Sequence, residues 1–228
     1  MKTGMIATLA GLALAGSASA SFTEFYTVKT VVTSGALTLD TYKIYARFSG
    51  PTDTILNAFN LNGLAGAPMA AFYHKDNSSS ASTLSTAFGT WNPALTGSAT
   101  LNRPFDSYLT IGGLPTGLNG TSADPSWGNP LSWNRPDIPN NVNAGWFAPG
   151  GSIAGRVGQA GNTADSVILG QFVVAAGTEF GGGYSITIGY NSGLAGAPVQ
   201  FANGFFLVPA PGAIALLGLA GLTGRRRR

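Results

Sequence analysis

A single histidine, His74, is present, so any Ser–His–acid machinery in this chain would have to use it. The Gly-x-Ser-x-Gly elbow that exposes such a serine does not occur; Gly150 to Ala154 lacks the final glycine. There is no cysteine, which removes thiolate catalysis, cysteine–zinc sites and haem attachment, and one imidazole cannot make a His-based zinc site. His74 stands beside Lys75 and Asp76 at the entrance to a Ser-rich run and reads as an exposed structural residue. Glycoside hydrolysis needs only two carboxyls, about 5 to 9.5 Å apart, and Asp106, Asp124, Asp137 and Glu179 are candidates. Asp53 follows Gly-Pro, however, and Asp124 and Asp137 flank prolines, so turn-making accounts for most of the aspartates. Loop carboxylates and carbonyls could also hold calcium, but no Asp-x-Asp-x-Asp or Gly-Gly-x-Gly-x-Asp spacing occurs. No residue is therefore assigned a catalytic, cofactor-binding or metal role, and the chain is expected not to be an enzyme.

Three of the four tryptophans, Trp127, Trp133 and Trp146, fall in Leu118 to Gly151, a stretch dense in Gly, Pro and Asn. Indole faces stack on sugar C–H faces, and asparagines supply paired donors and acceptors for hydroxyls. These three are the candidate glycan contacts; the competing reading is that they pin the loop to the domain. Irregular segments of this length are uncommon and are often functional.

Both ends of the chain carry addresses. Lys2, the apolar run Met5 to Gly16 and the small-residue exit Ala18-Ser19-Ala20 make the three parts of a secretory signal, with cleavage expected between Ala20 and Ser21. The run is shorter than the roughly 20 residues that span a bilayer. At the other end, Val208-Pro209-Ala210-Pro211 leads into the uncharged Gly212 to Gly224 and then Arg225, Arg226, Arg227 and Arg228. Pro209 and Pro211 suit a helix start, and the terminal arginines act as a cytoplasmic stop. A helix from Pro211 to Gly224 would reach about 21 Å against a hydrocarbon core of roughly 30 Å, which suits a temporary anchor.

Pro-x-Pro, short apolar helix and arginine cluster together resemble the PEP-CTERM sorting tail. The resemblance covers Val208 to Arg228, about a tenth of the chain, and Ala210 stands where that family usually has glutamate. It implies processing by an exosortase-like membrane protease after signal peptidase has acted, transient inner-membrane insertion through the tail, and delivery to the cell surface, outer envelope or extracellular matrix.

Five of the twelve basic residues, Lys2 and Arg225 to Arg228, lie in these end segments, leaving seven against nine acidic residues and a net charge of about −2. Nucleic-acid binding loses its electrostatic footprint. Charged residues are 9% of the chain, so its surface must be built from Ser, Thr, Asn and Gly.

The elements that would carry these residues read as strands. Phe22 to Thr33 is aromatic and β-branched, and in Thr41 to Phe48 the residues Tyr42, Ile44 and Phe48 alternate with Lys43, Tyr45 and Arg47. Gly50-Pro51 and Asp53 make a turn into a returning strand, Ile55 to Leu61, with Ile55, Phe59 and Leu61 inward. Pro68 to Tyr73, Ser107 to Ile111, Val167 to Ala175, Tyr184 to Tyr190 and Phe201 to Val208 follow. Val167 to Ala175 is nearly all apolar, as a strand buried on both faces would be, and Gly181-Gly182-Gly183 reads as a hairpin connection. Gly63 to Pro68 recurs as Gly193 to Pro198, two similar turns without matching flanks. The expectation is an all-β chain: a signal peptide over 1–20, one β-sandwich or jelly-roll domain over 21–207, and a sorting tail with a short apolar helix over 208–228. Its expected role is structural or adhesive, with carbohydrate binding through the loop tryptophans as the alternative, polysaccharide as the corresponding partner, and a secreted hydrolase as a distant third.

Overall fold

The computed structural model describes residues 20–63, 71–75, 83–87, 89–93, 103–114, 119–129, 133–135, 137–139, 144–159, 161–178 and 183–206. Residues 1–19 and 207–228 lie outside them, and with them Ala18, most of the signal segment and the whole sorting tail. No helix among the described residues is long and apolar enough to cross a membrane.

The fold is all-β. Among the described residues nine strands form two antiparallel sheets. They are β1 (Phe22–Ser34), β2 (Leu37–Phe48), β3 (Thr54–Gly63), β4 (Tyr108–Leu109), β5 (Ser122–Ala123), β6 (Gly145–Phe147), β7 (Ser166–Ala175), β8 (Tyr184–Asn191) and β9 (Gln200–Phe206). Sheet A runs β1-β2-β7-β4 and sheet B runs β5-β6-β3-β8-β9.

The first hairpin closes through Gly35-Ala36, where Ser34 pairs with Leu37 and Gly35 takes φ +62°. Glycine at the first of two turn residues is the type II′ arrangement, whose twist matches the flanking strands. In β2, Tyr42, Ile44, Ala46 and Phe48 point inward while Lys43, Tyr45 and Arg47 stay half-exposed, the expected alternation. β7 is buried along almost its whole length because it lies between β2 and β4 and is covered from outside. β4 itself is only two residues long. Irregular segments complete its work: Tyr73 N–H donates to Val173 O at 2.8 Å, and Val173 N–H donates to Ser107 Oγ at 2.9 Å.

Several expectations are corrected here. After Gly50-Pro51 the chain does not return beside β2; it crosses to sheet B, where β3 lies between β6 and β8. Register shifts between Ile55 and Asn57, and between Phe59 and Asn62, turn Ala58 inward and Phe59 outward. The connection from β7 to β8 also crosses between sheets and is not a hairpin. Residues 71–73 form no regular strand, whereas Pro68 lies outside the described residues. Within 118–151, read as irregular, β5 and β6 extend sheet B.

Between the sheets, Ile44, Phe48, Leu169 and Phe172 of sheet A meet Ile55, Leu61, Ile186, Ile188 and Phe206 of sheet B in one apolar core. At roughly 1.5–3 kcal/mol per fully buried large apolar side chain, this layer dominates the stability of the domain.

Candidate functional site

The loop tryptophans are in that core. Trp127, Trp133 and Trp146 are 0%, 3% and 2% exposed, and the fourth, Trp91, is fully buried between them and Phe72. The rings meet edge to face: Trp91–Trp127 at 5.2 Å and Trp127–Trp146 at 5.8 Å between centroids. This geometry sets the positive edge of one ring against the negative face of the next. Trp146 Nε1 donates to Thr110 O at 3.0 Å, which ties β6 to the segment after β4. Backbone bonds interlock the same segments, from Trp91 N–H to Trp133 O and from Arg135 N–H to Trp127 O. A sugar cannot stack on a ring with no face in solvent. Of the two readings of Trp127, Trp133 and Trp146, glycan contact does not fit this burial and pinning of the loop does: β5 and β6 extend sheet B and carry the indoles inward.

His74 is likewise buried, not exposed. Its Nδ1 lies 3.1 Å from Thr90 O and 3.0 Å from Ser107 O, two acceptors, so this nitrogen carries the proton and donates. Asp106 Oδ1 stands 3.7 Å away and accepts from Lys75 N–H at 3.0 Å. A Cβ on Gly89 would fall 2.1 Å from that of His74, so the imidazole packs directly against glycine backbone. Ser107 gives His74 its carbonyl, whereas its hydroxyl accepts from β7. The histidine is thus a strut joining residues 71–75, 89–93 and 103–114.

The carboxylates are spent on loops. Asp124 caps the 3₁₀ turn Pro125–Trp127 by accepting from Ser126 N–H at 2.8 Å, and its second oxygen accepts from Gly145 N–H. Asp137 pairs with Arg135 Nη2 at 3.1 Å. Glu179 lies outside the described residues. Among the described residues there is no group of three or more His, Asp or Glu side chains that could hold a metal ion. Asn119 went unnoticed in the sequence and organises more backbone than any of these. Its amide nitrogen donates to Ile111 O and Gly112 O, both at 2.9 Å, and its oxygen accepts from Thr121 N–H at 3.1 Å. An Asn two residues before a Thr in a Gly-rich stretch was the only available signal.

The surface with binding chemistry is the outer face of sheet B. Phe147, Asn57, Gly189 and Phe201 sit opposite one another across β6, β3, β8 and β9, a row of three inter-strand steps and about 14 Å. Phe147 is 45% exposed, Phe201 64% and Phe205 59%. Phe59 meets Phe201 edge to face at 6.2 Å. Gly189 lets the row lie flat, because a Cβ there would stand 2.4 Å from Asn57 Oδ1 and 3.3 Å from Phe201 Cε1. Asn57 Oδ1 accepts from Gly189 N–H at 2.9 Å, and Asn203 Oδ1 accepts from Thr187 Oγ1 at 2.7 Å. With both amide oxygens engaged by the sheet, each Nδ2 is oriented as a donor. A groove of about 220 Å³ runs between Phe59 and Phe147 over Gly145, with Asp124 at its margin.

No protein-family model, no curated protein and no solved structure matches this chain.

Proposed function

We propose that this chain is an exported, non-enzymatic protein of the cell envelope or extracellular matrix, with an adhesive or structural role. The signal-like start and the tail Val208 to Arg228 support export, with signal peptidase and an exosortase-like protease as processing partners. The observation that carries the adhesive reading is the outer face of sheet B. None of its five strands contains a charged residue, and they present exposed phenylalanines among oriented amide donors. Such a face suits a neutral polysaccharide, whose C–H faces stack on rings while its hydroxyls accept from amides. Carbohydrate binding thus keeps its place as the second reading, moved from the tryptophans to Phe59, Phe147, Phe201 and Phe205.

Two measurements test these readings. Deleting Pro209 to Arg228 should leave the cooperative melt intact but change the fraction in which the protein accumulates; unchanged fractionation would remove the sorting role. Pull-down on a panel of neutral glucans, mannans and xylans, with acidic pectin as control, should retain the protein at both low and high salt, because no ion pair is involved. Phe201→Ala should weaken retention by roughly tenfold, borrowing the scale of aromatic–base stacking. Retention by none of the neutral polymers would overturn the glycan reading, as would a concentration-dependent dimer abolished by the same substitution.

A further inference from the structure

Asp53 is a carboxylate at 2% exposure in the corner where the chain leaves sheet A for sheet B. Among the described residues no lysine or arginine pairs with it. Its Oδ2 accepts from two backbone groups, Gly50 N–H at 3.0 Å and Ser21 N–H at 3.2 Å. A Cβ on Gly50 would lie within 2.8 Å of the carboxyl group, so Asp53 is packed against bare backbone. Ser21 is held from its other side too, since its carbonyl accepts from Ser49 N–H at 3.0 Å. The cations of the neighbouring elements are engaged elsewhere: Arg47 pairs with Glu24 and Asp165, and Arg156 donates to Gly193 O at 2.8 Å. A buried carboxylate with only neutral donors is costly.

We propose that Asp53 is the receptor for the mature N-terminus: cleavage between Ala20 and Ser21 turns the Ser21 nitrogen into an ammonium that forms an ion pair with the buried Asp53 carboxylate. This rests on the cleavage position assigned from the sequence. In the cut, water adds across the Ala20–Ser21 peptide bond. Ala20 leaves with a carboxylate, and the Ser21 nitrogen takes up protons to become the α-ammonium. In the folded chain the nitrogen lies at hydrogen-bond distance from Oδ2, so docking of β1 brings the new ammonium directly against the carboxylate. Processing therefore supplies a counter-ion that no described residue of the uncut chain provides. Ala20 itself is buried in the folded uncut chain, so cleavage precedes the folding of β1 onto the sandwich.

The direction with pH follows. A carboxylate partner raises an α-amino group above its ordinary range of about 7.7–8.0. The contribution to stability is then complete below that range and is lost as pH rises through the raised folded value. Arg47 and Arg156 face other partners, and His74 lies on other elements. The test uses protein purified from exporting cells, with its first residue read by mass spectrometry. Urea midpoints are measured between pH 6 and 10, for the natural protein, for Asp53→Asn, and for natural protein acetylated at its α-amine. We expect a Ser21 start and an unfolding constant that rises by up to about tenfold per pH unit through the titration, flattened in both altered forms. The acetylated form carries the test if Asp53→Asn does not fold. A first residue other than Ser21 overturns the cleavage position and the ion pair together. A Ser21 start with the same pH dependence in all forms overturns the ion pair alone.

Discussion

The two sheets are built from unlike strands. Every charged strand residue, Glu24, Lys29, Asp40, Lys43 and Arg47, lies on β1 or β2 of sheet A, and the strands of sheet B have none. On sheet A these charges are mostly used internally. Lys29 Nζ pairs with the buried Asp40 at 2.8 Å, and Arg47 bonds Glu24 and Asp165 while its guanidinium lies 4.5 Å over the Tyr26 ring. Tyr26 and Tyr45 stack at 5.2 Å, which covers much of that outer face with the protein's own side chains. On sheet B the exposed rings have few such partners. The contrast separates two uses of a charge-poor chain: one face carries its charges largely in pairs, the other presents uncharged rings. Aromatic content alone does not mark that surface, because the tryptophans and Phe48, Phe172 and Phe206 are inside while Phe147, Phe201 and Phe205 are outside.

The sharpest break between inside and outside is Trp146→Ala against Phe201→Ala. Trp146 fills space between the sheets and donates to Thr110 O, so its loss should cost about 3–5 kcal/mol. Phe201→Ala, on the outer face, should change stability by less than about 0.5 kcal/mol while weakening polysaccharide retention. Thermal melts of the two variants check this; equal losses would mean that the outer ring is part of the fold.

Alkaline titration probes both sheets at once. Burial pushes the Tyr184 phenol of β8 up to about 12, and burial is also the main cause that raises Tyr42, Tyr45 and Tyr108 on sheet A. Each is held protonated in the fold, so unfolded tyrosines release protons first. Stability should be full below about pH 10 and fall from there toward the raised folded values, by about 2–3 kcal/mol for Tyr184 alone. A urea midpoint unchanged between pH 9 and 11.5 would contradict the burial of these phenols. Asn119→Ala comes next, at about 1–3 kcal/mol from orphaned carbonyls after β4, read by the same melts.

Much of the strand layout was legible because it is local. The alternation in β2 and the apolar run of β7 predict their burial from neighbouring residues alone. What escaped depends on distant partners. β6 is three residues in a Gly- and Asn-rich stretch and exists only because Phe59 and Asn57 lie opposite it. The burial of His74 is set by Gly89, Thr90 and Ser107, none of them close enough in sequence to mark it. The outward, half-buried placement of Phe59 turns on a register shift that no period-2 count anticipates. For the same reason the candidate surface was missed: its rings come from three strands, β3, β6 and β9, that are not consecutive in the chain.

The smallest expected effect lies on the charged face of sheet A. Arg47 is half-exposed and engages Glu24, Asp165 and the Tyr26 ring together, a surface network and not a buried pair. Hydrogen bonds from Ser166 and Thr163 already hold the exposed Asp165 carboxyl below its usual range, with Arg47 adding a lesser share. Removing the guanidinium therefore leaves Asp165 with partners, and Arg47→Met keeps the aliphatic stem over Tyr26. The loss should be about 0.2–1 kcal/mol at low salt, the range of exposed pairs, and should shrink toward zero in 1 M NaCl, where the Debye length is about 3 Å. Urea melts of both proteins at the two salt concentrations measure it. A loss well above that range and indifferent to salt would show that Arg47 supports the packing of sheet A by more than its charge.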